Sequence, residues 1–207
     1  TEATPEATAD TSAEKVKLAF VPPTMQAEYF QWNLAGMEQA AEDLGYEIVV
    51  YDSDNSSTQM TSNVQTAVAA GCAAVMLSPC NSSSAPAALQ FAIDAGLPTA
   101  FVAIGPPDGY TDYTTNISAD DLTSGYDAGN YICDLILAAG GSTVGILALP
   151  LDRVNAQAKL EGFQKACDEN GVEIVQTVQN TDDTITDAVA NANDILTANP
   201  DVGGLYC

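Results

Sequence analysis

The feature of this sequence that most constrains its fold is a segment that occurs twice. The stretch GMEQAAEDLGYEIV, which begins at Gly36, is echoed by GFQKACDENGVEIV, which begins at Gly162, 126 positions later. A glycine, an alanine, a second glycine and the triplet Glu-Ile-Val recur at that offset. Self-similarity at a fixed period indicates two copies of one structural unit. The chain therefore has to fold as two related halves.

Each copy lies within an alternation of apolar and amphipathic segments. The apolar segments VKLAFV, YEIVVY, AAVMLS and LPTAFVAI in the first half, and STVGILALP, VEIVQTVQ and VGGLYC in the second, have the length and composition of strands. The segments between them have helical periodicity. In the first of these, Leu34, Met37, Ala41 and Leu44 share one face and Gly45 ends the helix.

Strands that are apolar throughout and separated by helices favour parallel sheets covered on both faces. The sequence therefore predicts an α/β protein with two doubly wound, Rossmann-like parallel-sheet lobes. The N-terminal lobe is expected over residues 16–118 and the C-terminal lobe over residues 119–207.

Residues 1–15, TEATPEATADTSAEK, are small, polar and acidic, with no apolar periodicity. This composition predicts a flexible tether. One interpretation is that the tether holds an acidic domain at the outer face of a membrane through a removed, lipid-anchored N-terminal segment. The other is an ordinary frayed terminus.

The charge of the chain excludes one large class of partner. The formal net charge is −23, and the five basic residues leave none between Lys17 and Arg153. Nucleic-acid binding needs basic side chains that replace phosphate counterions, so we predict no nucleic-acid partner. The same field disfavours strongly anionic ligands and anionic membrane surfaces. Neutral or cationic small molecules remain.

Histidine is absent, which excludes Ser-His and Cys-His catalysis and imidazole-ligated metals. Cys72 and Cys80 flank a predicted strand that holds them about 25 Å apart, whereas a disulfide tolerates about 7 Å between Cα atoms. No pair of the five cysteines has the spacing of a zinc site. We therefore predict buried free thiols, no catalytic residue, no metal and no cofactor.

Three aromatic residues, Tyr29, Phe30 and Trp32, crowd the start of the first helix. They follow the first strand, and ligands of open α/β sheets bind outside the carboxyl ends of the strands. We predict that the three rings line the gap between the lobes and stack on a ligand. The alternative is that Phe30 or Trp32 packs between helix and sheet.

The second half carries polar residues at the equivalent place. Arg153, the only arginine, follows the first strand of that half, and Asn155 and Gln157 are the repeat counterparts of Tyr29 and Gln31. A guanidinium flanked by amides suits recognition of a polar ligand. An ion pair between Asp152 and Arg153 within the loop is the alternative.

Other motifs point to structural roles. Asp52, Asp54 and Asn55 resemble the start of a calcium loop, but the glycine and terminal glutamate of that loop are missing. Capping of the second helix by Asn55 or Ser56 explains them better. No phosphate-binding glycine motif is present.

With the duplication in place, the chain resembles the type I periplasmic sugar-binding proteins, the ribose-binding-like family that shares its fold with the sensor domains of LacI-type repressors. The resemblance is carried by AEYFQWNLAGMEQAAEDLGYEIVVYDSDNSSTQMTSNVQTAVAAGCAAVMLSP, DAGLPTAFV, NISADDLTSGYDAGNYI, LEGFQKACDENGVEIVQTV and ILTANPDVGGLYC. It implies two lobes that are joined at a hinge and close on one small molecule.

The resemblance also implies which residues contact the ligand. They comprise two stacking aromatics, a polar position after the third strand, a cation in place of the family's gripping arginine, a loop carboxylate, and the turn that first crosses between the lobes: Tyr29, Phe30, Ser78, Lys159, Asp183 and Asp120.

The chain departs from the family in two ways. Ala103 and Ile104 stand where ribose-type binders carry an Asp-Arg pair that grips sugar hydroxyls, which disfavours an ordinary pentose or hexose. The family also continues beyond the position of Cys207, so we expect a fragment with a partial C-terminal lobe.

Together these implications predict a monomeric, non-enzymatic, extracytoplasmic solute-binding protein. It would capture a small polar ligand, a sugar or a sugar-like molecule, for the permease of an ABC importer. The alternative is a ligand-sensing domain of a chemoreceptor or sensor kinase. A carboxylate-dependent glycosidase is the least favoured interpretation.

Overall fold

The structure is a computed structural model that describes residues 15–181 and 184–207. The predicted tether, residues 1–15, lies outside the described residues except for Lys15. None of the helices in the described ranges is long and apolar enough to cross a membrane.

The first half forms one parallel sheet with helices on both faces. Its elements are β1 Val16–Val21, α1 Glu28–Leu44, β2 Tyr46–Val50, α2 Ser57–Ala69, β3 Ala74–Leu77, α3 Ala85–Asp94, β4 Thr99–Val102 and β5 Thr115–Ile117. In this described part of the chain the strand order is β2-β1-β3-β4-β5, and every pair is parallel. We call this sheet and its helices the first lobe.

The second half repeats the beginning of this arrangement. It consists of α4 Asp121–Ala138, β6 Thr143–Ala148, α5 Val154–Asn170, β7 Glu173–Gln179, α6 Ile185–Ala198 and β8 Gly204–Tyr206. Over the described residues its strands form a parallel sheet in the order β7-β6-β8, which matches β2-β1-β3 of the first lobe. We call this unit the second lobe. The predicted fold class, two doubly wound parallel lobes, is confirmed.

The duplication extends to individual hydrogen bonds. The side-chain amide of Gln31 donates to the backbone carbonyl six residues earlier at 2.9 Å, and its counterpart Gln157 does the same at 2.7 Å. Gly45 and Gly171 end α1 and α5 with φ of 77° and 68°, the left-handed region that glycine enters without steric cost. The sequence repeat is therefore a structural repeat.

The apolar strand residues lie in three cores. The largest fills the space between the first sheet and helices α2 and α3, with Met60, Leu89 and Phe101 fully buried. A smaller cluster under α1 contains Phe20, Phe30 and Ile104. The core of the second lobe includes Phe163, whose ring stacks on Tyr206 with a centroid separation of 3.9 Å.

Helices α4 and α5 pack at unusually close range because glycines remove side chains from their contact. A Cβ atom at Gly162 would lie 2.1 Å from the backbone oxygen of Leu122, and one at Gly125 would lie 2.1 Å from the backbone oxygen of Lys159. The repeat counterpart Gly36, on α1, faces open space. This contact fixes α4 and α5, which both contribute to the cavity described below.

Two expectations need correction. Leu44 belongs to the predicted apolar face of α1 but is 70% exposed, because nothing in the described structure covers the last turn of that helix. All five cysteines are free thiols, but Cys207 is exposed, since it follows β8 at the surface. The other four are buried.

Candidate ligand-binding site

A cavity of about 600 Å³ lies between the two lobes. Its wall is built from the segments that follow β1, β4, β6 and β7, together with the start of α4. These are carboxyl ends of parallel strands, the place where open α/β sheets bind ligands. The cavity thus has the size and the position expected of a small-molecule site.

The first lobe contributes a wall of apolar side chains: Ala27, Tyr29, Phe30, Ala103 and Ile104. Phe30 is 5% exposed and packs in the cluster with Phe20 and Ile104. Tyr29 is 59% exposed and meets Phe30 edge to face, with centroids 5.2 Å apart and an interplanar angle of 83°. Phe30 is therefore held in place by core packing, whereas the exposed ring of Tyr29 can stack on a ligand.

The turn after β4 holds Ala103 in the left-handed region, with φ of 65°. Its backbone N–H donates to the carbonyl of Ile117 at 2.8 Å, and the N–H of Ile104 donates to the carbonyl of Val102 at 2.7 Å. A residue with a Cβ atom occupies this region at a cost, and such residues cluster at ligand sites. The turn places Ala103 and Ile104 on the cavity wall.

The second lobe contributes most of the polar side chains on the wall. They are Asp121, Ser124, Arg153, Asn155, Lys159, Asn180 and Thr184, and they are interspersed with Ala119, Leu149, Ile185 and Ala188. Lys159 Nζ lies 3.3 Å from Asp121 Oδ1, so the two charges form an ion pair on the wall. The cavity is thus chemically asymmetric.

Arg153 connects the lobes. Its side chain is 5% exposed, and it donates from Nε to the carbonyl of Cys80 at 3.3 Å and from Nη2 to Oδ1 of Asn55 at 2.9 Å. The backbone N–H of Val154 also donates across the gap, to Oγ of Ser82 at 3.1 Å. Arg153 therefore lies on the cavity wall and also helps to hold the lobes together.

Asn155 has an unused acceptor. Its Oδ1 is buried and has no hydrogen-bond partner among the described residues. A buried polar atom without a partner costs free energy, which a ligand that donates a hydrogen bond would recover. Asn155 is the repeat counterpart of Tyr29, and that correspondence is the sequence signal that points to it.

Four of the predicted ligand residues come together on the cavity wall: Tyr29, Phe30, Arg153 and Lys159. Asp183 lies outside the described residues. Trp32, Ser78, Asp120 and Gln157 are not brought to the wall. Their contact with a ligand stays a prediction.

Local structure explains why Trp32, Ser78 and Gln157 do not line the cavity. Trp32 is on the outward side of α1 and is 72% exposed. Ser78 is fully buried, and its hydroxyl donates to the carbonyl of Val102. Gln157 makes the repeat hydrogen bond at the start of α5. Each side chain is either committed to the fold or turned away from the cavity.

Asp120 is the N-cap of α4. Its carboxylate accepts from the backbone N–H of Thr123 at 3.1 Å and from the hydroxyl of Thr123 at 2.7 Å, and these hydrogen bonds lower the pKa of Asp120. The next residue, Asp121, is the one that lines the cavity. Asp121 was not among the predicted ligand residues, because a helix start can be displaced by one residue without any change in the sequence pattern.

The segment that resembles a calcium loop is a helix start. Ser56 caps α2, where its hydroxyl oxygen accepts from the backbone N–H of Gln59 at 3.2 Å. This confirms the capping interpretation. Within the described ranges, no group of three or more cysteine or acidic side chains is arranged to hold a metal ion.

Comparison with known proteins connects this geometry to a family. Residues 18–207 match the family described as "Periplasmic binding protein domain". The ribose import binding protein of Salmonella typhimurium is 28% identical over 192 residues, which cover 93% of this chain and 63% of that protein. The D-apiose import binding protein of Actinobacillus succinogenes is 24% identical over 93% of this chain and 61% of its own length.

A solved structure shows the same fold. An ABC transporter solute binding protein from Mycobacterium smegmatis, with bound glycerol, superposes with a TM-score of 0.84 at 22% identity. The match covers 93% of this chain and 66% of that protein. This chain spans 63% of the length of the ribose import binding protein that it matches. Because the family match extends over nearly the whole chain, this protein belongs to the periplasmic binding protein family.

Proposed function

We propose that this chain is part of an extracytoplasmic solute-binding protein that captures a small polar molecule, a sugar or a sugar-like compound, for an ABC importer. The single observation that carries the proposal is the cavity between the lobes, where an exposed aromatic ring faces polar side chains and the Asn155 acceptor, which no described residue satisfies. The names of the matched relatives, which are import binding proteins for ribose and D-apiose, support the same reading. In this proposal the protein acts as a monomer.

The ligand is held by stacking on one side and hydrogen bonds on the other. Tyr29 covers one face of the ligand, and Asn155 accepts a hydrogen bond from it. Lys159 and Arg153 donate from the second lobe, while Asp121 holds Lys159 in place. Binding draws the lobes together, and the membrane partner recognises the closed form.

The chemistry of the wall favours binding over turnover. Asp121 is the one carboxylate among the cavity-lining residues that the structure describes, and it is paired with Lys159. Glycoside hydrolysis uses two carboxyl groups that flank the scissile bond, and no second one lines this cavity within that same set. The site is therefore built to hold a molecule and to release it unchanged.

Mass spectrometry of small molecules that copurify with the protein tests the function. We expect one small polar molecule in a 1:1 complex, and isothermal titration with that molecule should reproduce the binding. Recovery of a nucleic acid, a peptide or a chemically converted product would contradict the proposal.

A matched pair of aromatic variants then assigns the site. Tyr29→Ala removes a ring from the cavity wall, whereas Trp32→Ala removes a ring from the exposed side of the same helix. Loss of one stacking face is worth about 1–2 kcal/mol, so Tyr29→Ala should weaken binding about 5- to 30-fold. Trp32→Ala should change the dissociation constant less than about twofold. An equal effect of both substitutions would show that the ligand does not lie in this cavity.

A further inference from the structure

The two walls of the cavity make opposite demands on a ligand. On the first-lobe wall, the hydroxyl of Tyr29 is the only polar side-chain atom among the described lining residues, which otherwise are alanines, Phe30 and Ile104. Sugar hydroxyls placed against such a wall would lose their hydrogen bonds to water without replacement.

The polar side chains of the first lobe near this wall are already engaged. The hydroxyl of Ser78 donates to the carbonyl of Val102, and Asn55 Oδ1 accepts from Arg153 at 2.9 Å. The hydroxyl oxygen of Thr24, which is also buried, accepts from the backbone N–H of Gln26 at 3.1 Å. The apolar character of the first wall is therefore a property of the folded lobe.

The second-lobe wall has the opposite character. Asn155 Oδ1 is buried and has no partner in the described part of the chain, and the ion pair of Lys159 and Asp121 lies beside it on the same wall. This wall needs a ligand edge that can both donate and accept hydrogen bonds. A ligand that satisfies both walls has to be polar on one edge and apolar on the other.

We propose that the ligand is a deoxygenated or methyl-bearing sugar or polyol. Its apolar edge lies against Ala103 and Ile104, and its hydroxyl edge faces Asn155 and Lys159. The inference rests on the proposed function, because it specifies the ligand class of the same cavity. A hydroxyl left unpaired against the apolar wall lowers affinity by a factor on the order of 10 to 100.

Matched sugar pairs that differ by one hydroxyl test this inference. The pairs are D-fucose and D-galactose, L-rhamnose and L-mannose, and 5-deoxy-D-ribose and D-ribose, each titrated calorimetrically into the ligand-free protein. We expect the deoxy member of at least one pair to bind about tenfold or more tightly than its parent. Equal or tighter binding of the parents overturns the inference, and so does a lack of binding by every deoxy sugar.

The failure of the inference can be told apart from failure of the proposed function. If a fully hydroxylated sugar copurifies or binds best, the protein is still a solute-binding protein and only the ligand class is wrong. If the molecule that copurifies is a peptide or a nucleic acid, the function itself is wrong.

Two substitutions at Ala103 link the preference to this wall. Asn is among the residues that tolerate the left-handed region, so Ala103→Asn suits the backbone and adds an amide to the apolar wall. It should reduce the preference for the deoxy sugar at least about fivefold. Ala103→Gly relieves the same backbone strain without adding a polar group. The assignment to this wall is wrong if both variants change the ratio of the affinities for the deoxy sugar and its parent equally. It is also wrong if Ala103→Asn has the melting temperature of the unsubstituted protein and leaves that ratio unchanged.

Discussion

The guanidinium of Arg153 donates a hydrogen bond to the side-chain oxygen of Asn55 at 2.9 Å, across 98 positions of sequence and from one lobe to the other. A second bond from the same side chain reaches the carbonyl of Cys80. Arg153 and Cys80 are almost completely buried, at 5% and 4% exposed. The only arginine of the sequence is thus both part of the cavity wall and a link between the lobes.

Replacement of Arg153 should destabilise the protein. Arg153→Ala removes the donor to the buried carbonyl of Cys80, and loss of the partner of a buried acceptor typically costs about 1–3 kcal/mol in the free energy of unfolding. The control is Asp152→Ala, which removes the exposed acceptor of another hydrogen bond between the lobes, from the Asn81 amide to Asp152 Oδ2 at 3.3 Å. It should cost less than about 0.5 kcal/mol. Urea denaturation measures both, and equal losses would contradict the role of the buried link.

The neighbouring aromatics Tyr29 and Phe30 should respond differently to truncation. Phe30 is part of the core cluster under α1, so Phe30→Ala should lower the free energy of unfolding by about 3–5 kcal/mol. Tyr29 is largely exposed, and Tyr29→Ala should cost less than about 1 kcal/mol while it weakens ligand binding. Chemical denaturation of both variants checks this. A large stability loss in Tyr29→Ala would place that ring in the core instead.

The internal repeat supplies a matched test of the contact between α4 and α5. In Gly162→Ala the new Cβ atom would collide with the backbone oxygen of Leu122, so we expect a loss of about 1–3 kcal/mol or more. The repeat counterpart Gly36→Ala meets nothing within 4 Å and should stabilise α1 by about 0.5–1 kcal/mol. Thermal unfolding compares the two directly. Equal effects would mean that α4 does not pack on α5 as described.

The cysteines should differ sharply in reactivity. Burial raises the pKa of Cys80 to about 11 and that of Cys167 to about 12, and the thiolate is the reactive form. In the native protein at mildly alkaline pH, an aromatic disulfide reagent should therefore titrate one thiol rapidly, that of the exposed Cys207. All five should react in denaturant. Rapid reaction of two or more thiols in the native state would contradict the burial.

Asp120 should make stability depend on pH. Its hydrogen bonds with Thr123 lower its pKa below the ordinary value of 3.8. A group with a lowered folded-state pKa stabilises the protein above its unfolded pKa, and this contribution is lost as the pH falls through the folded value. Asp120→Ala should therefore melt at a lower temperature than the parent at neutral pH, and the gap should narrow in acid.

Asp120→Asn is the control for this titration, because asparagine keeps a capping oxygen but cannot ionise. Its melting temperature should converge on that of the parent below the ordinary aspartate pKa. A difference between parent and variant that does not change with pH would show that the Asp120 carboxylate does not titrate in this way.

Most of the fold follows from hydrophobic periodicity, because every strand with a continuous apolar run was predicted. The exception is β5, whose residues Thr115–Ile117 are all exposed. This strand exists because its backbone pairs with β4, and backbone pairing leaves no apolar signature in the sequence. Hydrophobic periodicity therefore cannot predict a short, exposed edge strand of this kind.

The site was predicted less completely, because the local hydrophobic pattern does not determine the direction in which a side chain points. Tyr29 and Trp32 lie three positions apart on α1, yet one lines the cavity and the other faces outward. Ser78 lies at the carboxyl end of a strand, as predicted, but donates its hydroxyl to a neighbouring strand. Asn155 was accessible to sequence reasoning only through the internal repeat.

The crystal structure of this protein with its copurified ligand tests the central claim most directly. We predict electron density for one small molecule between the lobes, with its apolar edge against Ala103 and Ile104 and a hydrogen bond to Asn155 Oδ1. Density for the ligand outside this cavity, or a ligand in contact with one lobe alone, would contradict it.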